Sequence, residues 1–559
     1  MCGICQAFHP WVEARDCYFT QKATTDADSG AGGSGTNAPL PVFTYDQIAN
    51  QLTDGYWAPY GGARRFDVGP GDTLYVDITP LTANGQTLAR EALAAWSQVT
   101  GINFVEVNST LPPANTVSES TDAAPDISTT YSFSAGDDFL GTLDQGTDRD
   151  AVAITLTQDQ TVQFTLSGEG PGGVSDPYLR LYDSSGNLVA ENDDANGQDS
   201  AITFQASSAG TYYIQAGSFN DAHAGDYRIT ARETSLVVDI YFDDEQAGAY
   251  ASSTVSGGFI QSSTININKY WAGGGGNIDS YHYQTYLHEI GHALGLGHAG
   301  NYNGSATYGT DNHYANDSWQ ATVMSYFHQT ENTWLTADFG YVITPMMADI
   351  IAIQNLYGTP TANTGDTIYG LNGNTGTYLD GALGSSNPVT FTVFDTGGTD
   401  IFDFSNYTSH QNLDLREETY SDLGTRDGNV GIARGSVIEH GRTGSGNDTI
   451  TGNDADNGLS AGSGSDTVSG GAGNDAIRGG SGNDDLNGED GFDLIEGGTG
   501  NNVINGGADG DLLIGDEITL DMLTILYPTW TPPSNTQALI DDDEIWVLWE
   551  DIQADQGIG

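Results

Sequence analysis

Basic residues are scarce in this chain: 15 lysines and arginines stand against 75 acids in 559 residues, a formal charge of −60. That balance argues against nucleic acid as a partner, because holding phosphates takes lysine and arginine. It argues equally against docking on an anionic membrane. Cysteine is nearly missing. The three present are Cys2, Cys5 and Cys17, so no disulfide can staple any later part of the chain. The pair in Cys2-Gly-Ile-Cys5 has no second pair to complete a structural zinc site. No stretch is apolar for long enough to span a membrane, and the first 30 residues lack the basic start and apolar run of a standard signal peptide. What is abundant is acid and glycine, with 75 glycines concentrated toward the C-terminus. Acidity of this degree keeps a protein soluble but makes it repel itself, and bound divalent cations would relieve that. The length implies several domains.

Histidine is also sparse, and its placement is informative. Three of the ten fall in one run, His288-Glu289-Ile290-Gly291-His292-Ala293-Leu294-Gly295-Leu296-Gly297-His298. On a helix, His288 and His292 share a face and can reach one ion. Glu289 then lies beside the metal rather than on it. Gly295 and Gly297 end the helix, and Gly295 can take a left-handed conformation that turns the chain back and brings in His298. Three protein ligands leave a tetrahedral zinc one position short, which water fills with its pKa lowered to about 7. Glu289 can take that water's proton and pass it to a leaving amine. The alternative, three surface histidines on an ordinary amphipathic helix, does not account for the full eleven-residue pattern.

The pattern resembles the metzincin metalloproteases, which carry a methionine turn downstream. Thr322-Val323-Met324-Ser325-Tyr326-Phe327 matches it. The resemblance implies that Met324 forms an apolar floor under the imidazoles. Met-Ser-Tyr looks like the serralysin branch, which implies that Tyr326 is a further zinc ligand and a hydrogen-bond donor to the oxyanion.

The chain before the run has the order expected of such a domain: a short helix at 45–52, a strand at 74–78, an amphipathic helix at 85–99 with Leu88, Ala92, Trp96 and Val99 on one stripe, and a strand at 102–107. The next matching strand comes only at 237–242. A structureless loop of that length is implausible inside a compact domain. The residues between read as short strands, at 151–157, 161–166, 178–182, 201–205, 210–217 and 226–230, which suggests a β-sandwich. The stretches Asp176–Asp183, Glu191–Asp194 and Gly210–Tyr213 resemble the bacterial pre-peptidase C-terminal domain, and Asp193 and Asp194 could hold calcium. After the methionine turn, Thr344 caps a helix that has Pro345 at its first position and ends at Gly358.

From Gly444 to Asp516 the chain repeats every nine residues. The sixth position is Asp448, Asn457, Asp466, Asp475, Asp484, Asp493, Asn502 and Asp511, and two residues later comes Ile450, Leu459, Val468, Ile477, Leu486, Ile495, Ile504 or Leu513. Glycines allow tight loops, the acid offers oxygen ligands and the aliphatic opens an inward-facing strand. The segment resembles the repeats-in-toxin parallel β-roll, whose loops bind calcium and in which repeat n stacks on n+2. That implies sites at Asp448 with Asp466, Asp466 with Asp484, Asp475 with Asp493, and Asp493 with Asp511, and weaker ones at Asn457 and Asn502. Residues 444–516 hold 14 acids and one base, Arg478, so without calcium the segment should be disordered. The resemblance implies type I secretion with a C-terminal signal, and Ile540–Trp549 is the nearest equivalent.

The expected molecule is multi-domain, with an α+β metzincin-type (zincin-like) catalytic domain interrupted by a β-sandwich and followed by a parallel β-roll. Its parts are a leader and linker at 1–40, catalytic segments at 41–121 and 233–358 around an insert at 122–232, a β-rich lead-in at 359–443, repeats at 444–516 and a tail at 517–559. The function implied is a secreted, extracellular, monomeric zinc endopeptidase with one catalytic zinc and several calcium ions. Its partners would be protein or peptide substrates and the type I secretion machinery, with no nucleic acid and no membrane insertion. Two other readings are a non-enzymatic calcium-dependent adhesin, and a latent protease whose zinc is capped by a cysteine of the N-terminal segment.

Overall fold

The structure is a computed structural model. It describes residues 39–107, 115–158, 160–193, 199–233, 238–508 and 510–516, and beyond these 518–519, 522–523, 526–527, 529–536, 539 and 545–556. The three cysteines, Asp194 and residues 540–544 of the acidic tail run lie outside the described residues. The chain forms two compact units, one of Met1–Val105 with Asp239–Gly559 and one of Glu106–Val238. Among the described residues no helix is long and apolar enough to cross a membrane.

The first unit begins with a five-stranded sheet in the order Ala249–Ser256, Phe259–Ile267, Ile240–Asp243, Thr73–Asp77, Asn103–Glu106. Thr73–Asp77 and Phe259–Ile267 both run parallel to Ile240–Asp243. Ala249–Ser256 is an antiparallel edge strand. The helix expected at 85–99 spans Ala83–Thr100. Thr82 caps its start by accepting from the Gly85 N–H, and Gly101 ends it at a φ of 68°, which only glycine adopts at little cost. Leu88, Ala92, Trp96 and Val99 are all buried, as their spacing demands. Trp96 Nε1 donates to the Leu287 carbonyl at 3.0 Å and so ties this helix to the histidine helix, Tyr281–Ala293. The first helix, Tyr45–Asn50, carries a Thr44/Gln47 capping box and widens into a π-turn at Gln51–Gly55.

One helix start differs from expectation. Thr344 caps nothing. Its hydroxyl accepts from the Thr392 N–H at 2.9 Å and donates to the Thr392 carbonyl at 3.2 Å, so it belongs to a sheet contact. The helix runs instead from Met347 to Tyr357, and the Asp349 carboxylate accepts the Met346 N–H at 2.9 Å.

The second unit is a sandwich. One sheet has the order Asp150–Leu156, Gly210–Ser218, Pro177–Tyr182, Leu188–Asn192. The other has Thr116–Ser118, Asp138–Leu143, Gly225–Glu233, Thr161–Gly168, Ser200–Gln205. Phe139, Phe164, Leu179, Leu181, Ile214 and Ile229 fill the space between them. The unit begins earlier than the sequence break placed at 121/122, because Thr116–Ser118 pairs in parallel with Asp138–Leu140.

The end of the first unit is a two-sheeted roll. Thr449–Thr451, Thr467–Ala472, Asp485–Asp490 and Val503–Gly507 stack in parallel in one sheet. Gly458–Ser460, Ala476–Arg478, Leu494–Glu496 and Leu512–Ile514 stack in the other. Partners are 18 residues apart: Ile450 opposes Val468, which opposes Leu486, and Leu459 opposes Ile477, which opposes Ile495. These six aliphatics are buried. The helix Ile545–Gln556 packs Trp546, Leu548 and Trp549 in one cluster with Ala476, Leu494 and Ile514 of the second sheet.

Candidate active site

Ser280 caps the histidine helix by accepting from the Tyr283 N–H at 3.1 Å. The helix stops at Ala293 because Gly295 takes a φ of 109°, and a side chain there would strike the Arg64 carbonyl. That reversal carries His298 back onto the face of His288 and His292. One ring nitrogen from each of the three lies within 4.8 Å of the other two. His288 Nδ1 hydrogen-bonds the Val323 carbonyl at 2.9 Å, and His292 Nδ1 the Leu296 carbonyl at 2.8 Å. Those bonds place the protons on Nδ1 and leave the Nε2 lone pairs facing inward. His292 Nε2 and His298 Nε2 approach to 3.0 Å. Burial drives the imidazole pKa values down, His288 to about 4, His292 to about 3, and His298 well below its ordinary value. Three neutral rings with converging lone pairs repel one another unless a cation sits between them, so this donor set fits a borderline-soft metal such as zinc.

Glu289 is buried. Its Oε2 has no hydrogen-bond partner, and the Ala251 backbone of the edge strand bonds the carboxylate. Burial pushes this carboxyl up to about 8. Met324 is fully buried with its sulfur against the helix at Gly291, where a Cβ would come within 2.7 Å of it. The Tyr326 ring lies 4.6 Å from that of His298 and 6.0 Å from that of His288, and its hydroxyl accepts from the Gly304 N–H at 3.3 Å.

Residues that sequence reasoning passed over hold this arrangement in place. Asp349 accepts from the Thr322 hydroxyl and, at 2.8 Å, from the Val323 N–H. Val323 in turn presents its carbonyl to His288. An acid in the first turn of a helix was the available signal. Tyr56 sets its ring edge-on against His298 at 5.1 Å from the end of the π-turn.

In the roll, the backbone N–H of Asp448 donates to Asp466 Oδ1 at 2.7 Å, that of Asp466 to Asp484, that of Asp475 to Asp493, and that of Asp493 to Asp511. The Oδ2 atoms of Asp448, Asp466, Asp475 and Asp484 are buried without a hydrogen-bond partner. Burial pushes Asp466 up to about 7 and Asp475 to about 8. Such orphaned carboxylate oxygens fit a hard cation. Where the repeat has asparagine, the side-chain amide bonds carbonyls instead: Asn457 Nδ2 donates to Glu439 O and Asn502 Nδ2 to Gly497 O. In the sandwich, Asp193 belongs to no cluster of at least three such side chains among the described residues. The acids that gather there are Glu119, Asp122 and Asp150, and Asp122, Asp144 and Asp148.

The family described as Peptidase M10 serralysin C terminal matches residues 359–509, and the bacterial pre-peptidase C-terminal domain matches 148–218. Serralysin C of Dickeya chrysanthemi is 47% identical over 178 residues, 31% of this chain and 36% of that one. Serralysin of Photorhabdus luminescens is 45% identical over 188 residues, 33% and 38% of the two chains. Metalloprotease AprA of Pseudomonas entomophila (strain L48) is 38% identical over 260 residues, 45% and 50%. The chain thus spans between about a third and a half of the length of these curated relatives. It is a relative of the serralysin-type metalloproteases that carries a bacterial pre-peptidase C-terminal domain.

Proposed function

We propose that the chain is a secreted zinc endopeptidase that hydrolyses peptide bonds of extracellular proteins and carries structural calcium in its roll. The observation that carries this reading is the convergence of three neutral imidazoles beside a buried carboxylate with an orphaned oxygen. His288, His292 and His298 would hold zinc, with Tyr326 as a further ligand, and the ion would supply Lewis-acid polarisation of the attacking water and the scissile carbonyl.

The chain's own residues do the rest. Glu289 accepts the proton of the attacking water on its free carboxylate oxygen and returns it to the leaving amine. Burial raises the proton affinity of that oxygen, and a cation held by the three imidazoles would favour its ionised form at neutral pH, leaving it free to accept the proton and later to give it up. The Tyr326 phenol donates to the oxyanion of the tetrahedral intermediate. Met324 closes the site from below and excludes water. The edge strand Ala249–Ser256 reaches Glu289 through Ala251. Its outer backbone groups suit an extended substrate strand. Asp448, Asp466, Asp475, Asp484, Asp493 and Asp511 would hold calcium between stacked turns. The unfolded acidic segment suits export by type I secretion machinery in low calcium, with folding outside. The family match over residues 359–509 and the names of the relatives support this reading.

The test is a peptide-library cleavage assay with zinc analysis on wild type and Glu289→Ala. The variant is expected to bind one zinc and to cleave roughly a thousandfold more slowly, and undiminished cleavage would sink the mechanism. Tyr326→Phe should lower turnover by about a hundredfold with a much smaller change in zinc content.

A further inference from the structure

Two segments that follow the histidine run converge on the backbone of Tyr326. Asp317 is fully buried, Ser325 is 2% exposed and Tyr302 is 5% exposed. The Tyr302 hydroxyl donates to both carboxylate oxygens of Asp317, at 3.2 Å each. The Ser325 hydroxyl donates to Asp317 Oδ1 at 2.7 Å. Each hydroxyl then has its lone pairs turned outward, and each receives a backbone N–H on one side of the same residue. The Tyr326 N–H donates to Tyr302 Oη at 3.4 Å, and the Phe327 N–H to Ser325 Oγ at 3.1 Å. The neighbouring carbonyls are held as well: Trp319 donates from Nε1 to the Ser325 carbonyl at 2.9 Å and from its backbone to the Phe327 carbonyl at 2.8 Å.

The loop that supplies Tyr302 also supplies the resting place of the phenol. Asn303 and Ser305 bridge across a tight turn, and Gly304 sits between them at a φ of 80°. This turn aims the Gly304 N–H at Tyr326 Oη, 3.3 Å away. The Tyr302 and Tyr326 rings pack 4.8 Å apart.

We infer that Asp317, acting through Tyr302 and Ser325, is a positioning residue that fixes the main chain on both sides of Tyr326, so that the phenol moves between the Gly304 N–H and the reacting centre by side-chain rotation alone. A carboxylate that accepts from two hydroxyls orients both of them, because each must spend its single proton inward and can only accept from outside. With four main-chain groups held, Tyr326 keeps only its side-chain torsions. Gly304 marks the station of the phenol beside the imidazoles, where its oxygen accepts a hydrogen bond and could also serve the ion they would hold, and the oxyanion marks the station where it donates. The clamp would stop the turn from adapting when the phenol leaves Gly304, which keeps the donor position the same from turnover to turnover. This inference rests on the proposed peptidase reading.

The test combines a double-mutant cycle with a probe that needs no turnover, on the full-length protein. Tyr302→Phe removes only a hydroxyl and should lower kcat by about tenfold, with KM and bound zinc unchanged. In a Tyr326→Phe background the same substitution should have no further effect on kcat. An equal loss in both backgrounds would overturn the inference and make the network merely structural. Asp317→Asn should behave as Tyr302→Phe does. If that variant fails to fold, the Tyr302→Phe cycle decides. Site-specific 3-fluorotyrosine at 326, observed by fluorine NMR in zinc-chelated protein, should give one resonance that shifts or splits in Tyr302→Phe. An unmoved resonance would overturn the clamp. If wild-type protein cleaves no peptide, the peptidase reading fails, and the fluorine resonance still decides the positioning role by itself.

Discussion

At the scale of single residues, two buried carboxylates illustrate opposite uses of the same chemistry. Glu289 has an oxygen with nothing to bind, whereas Asp349 uses both oxygens to hold the methionine turn to the helix behind it. Glu289→Ala should therefore leave the fold alone and remove activity, by roughly a thousandfold. Asp349→Asn should do the reverse first: it turns an amide toward backbone donors and costs about 1–3 kcal/mol per unsatisfied group. Its pH behaviour follows from burial, which pushes the Asp349 carboxyl up to about 6. The unfolded chain titrates near 4, so the folded state binds the proton more tightly between these values. Stability from this residue is greatest below about pH 4, falls as pH rises to about 6, and is flat above. The gap in chemical-unfolding midpoint between wild type and Asp349→Asn should narrow from pH 4.5 to pH 7.5, and a gap independent of pH would contradict the assignment. The histidines were readable because their chemistry is packed into eleven positions. Asp317, Tyr302 and Asp349 carry no such signal, because Tyr302 and Asp349 bond main-chain groups and Asp317 bonds two hydroxyls, contacts that have no local spacing. The tyrosine clamp belongs to that class, and only the three-dimensional arrangement of its hydroxyls points to it.

Elements were legible where periodicity and capping agreed, as in the helix Ala83–Thr100 and in six strands of the sandwich. The strand Leu188–Asn192 carries no period-two signal, because both Leu188 and Val189 are exposed and it has no inward alternation. Thr344-Pro345 has the form of a helix start, but a hydroxyl can serve only one geometry, and here the sheet contact with Thr392 wins. Helix packing around the candidate site leaves little room. Gly291 meets Met324 on one side and Trp96 on the other, so Gly291→Ala should overpack the contact and cost about 1–3 kcal/mol. Thermal unfolding together with zinc content would measure it, and a neutral result would mean that the methionine turn is looser than its geometry implies.

For the whole molecule, the consequences lie in how charge and chain connectivity are distributed. The roll concentrates buried carboxylates in layers, so calcium chelation should melt it, with loss of β-sheet circular dichroism. A spectrum indifferent to chelator would contradict cation binding there. Asp466→Asn should weaken this dependence, because its amide would bond loop carbonyls as those of Asn457 and Asn502 do. The sandwich enters and leaves the first unit between strands of a single sheet, Asn103–Glu106 and Ile240–Asp243. Replacing 107–238 by a short glycine-serine linker should preserve zinc content. Cleavage of short peptides should be retained, and any loss confined to folded protein substrates would assign the insert a role in substrate access.

Stacking at intervals of 18 residues also restricts how this chain could change length. Every repeat of nine contributes a strand to one sheet and the next repeat to the other. Removing nine residues would send each later strand to the opposite wall and carry the cluster around Trp546 to the wrong side. Removing eighteen takes out one complete turn and leaves every remaining strand facing its old kind of neighbour. The tolerated unit of insertion or deletion in this part of the molecule is therefore two repeats, and a roll with an odd number lost would have to rebuild its end.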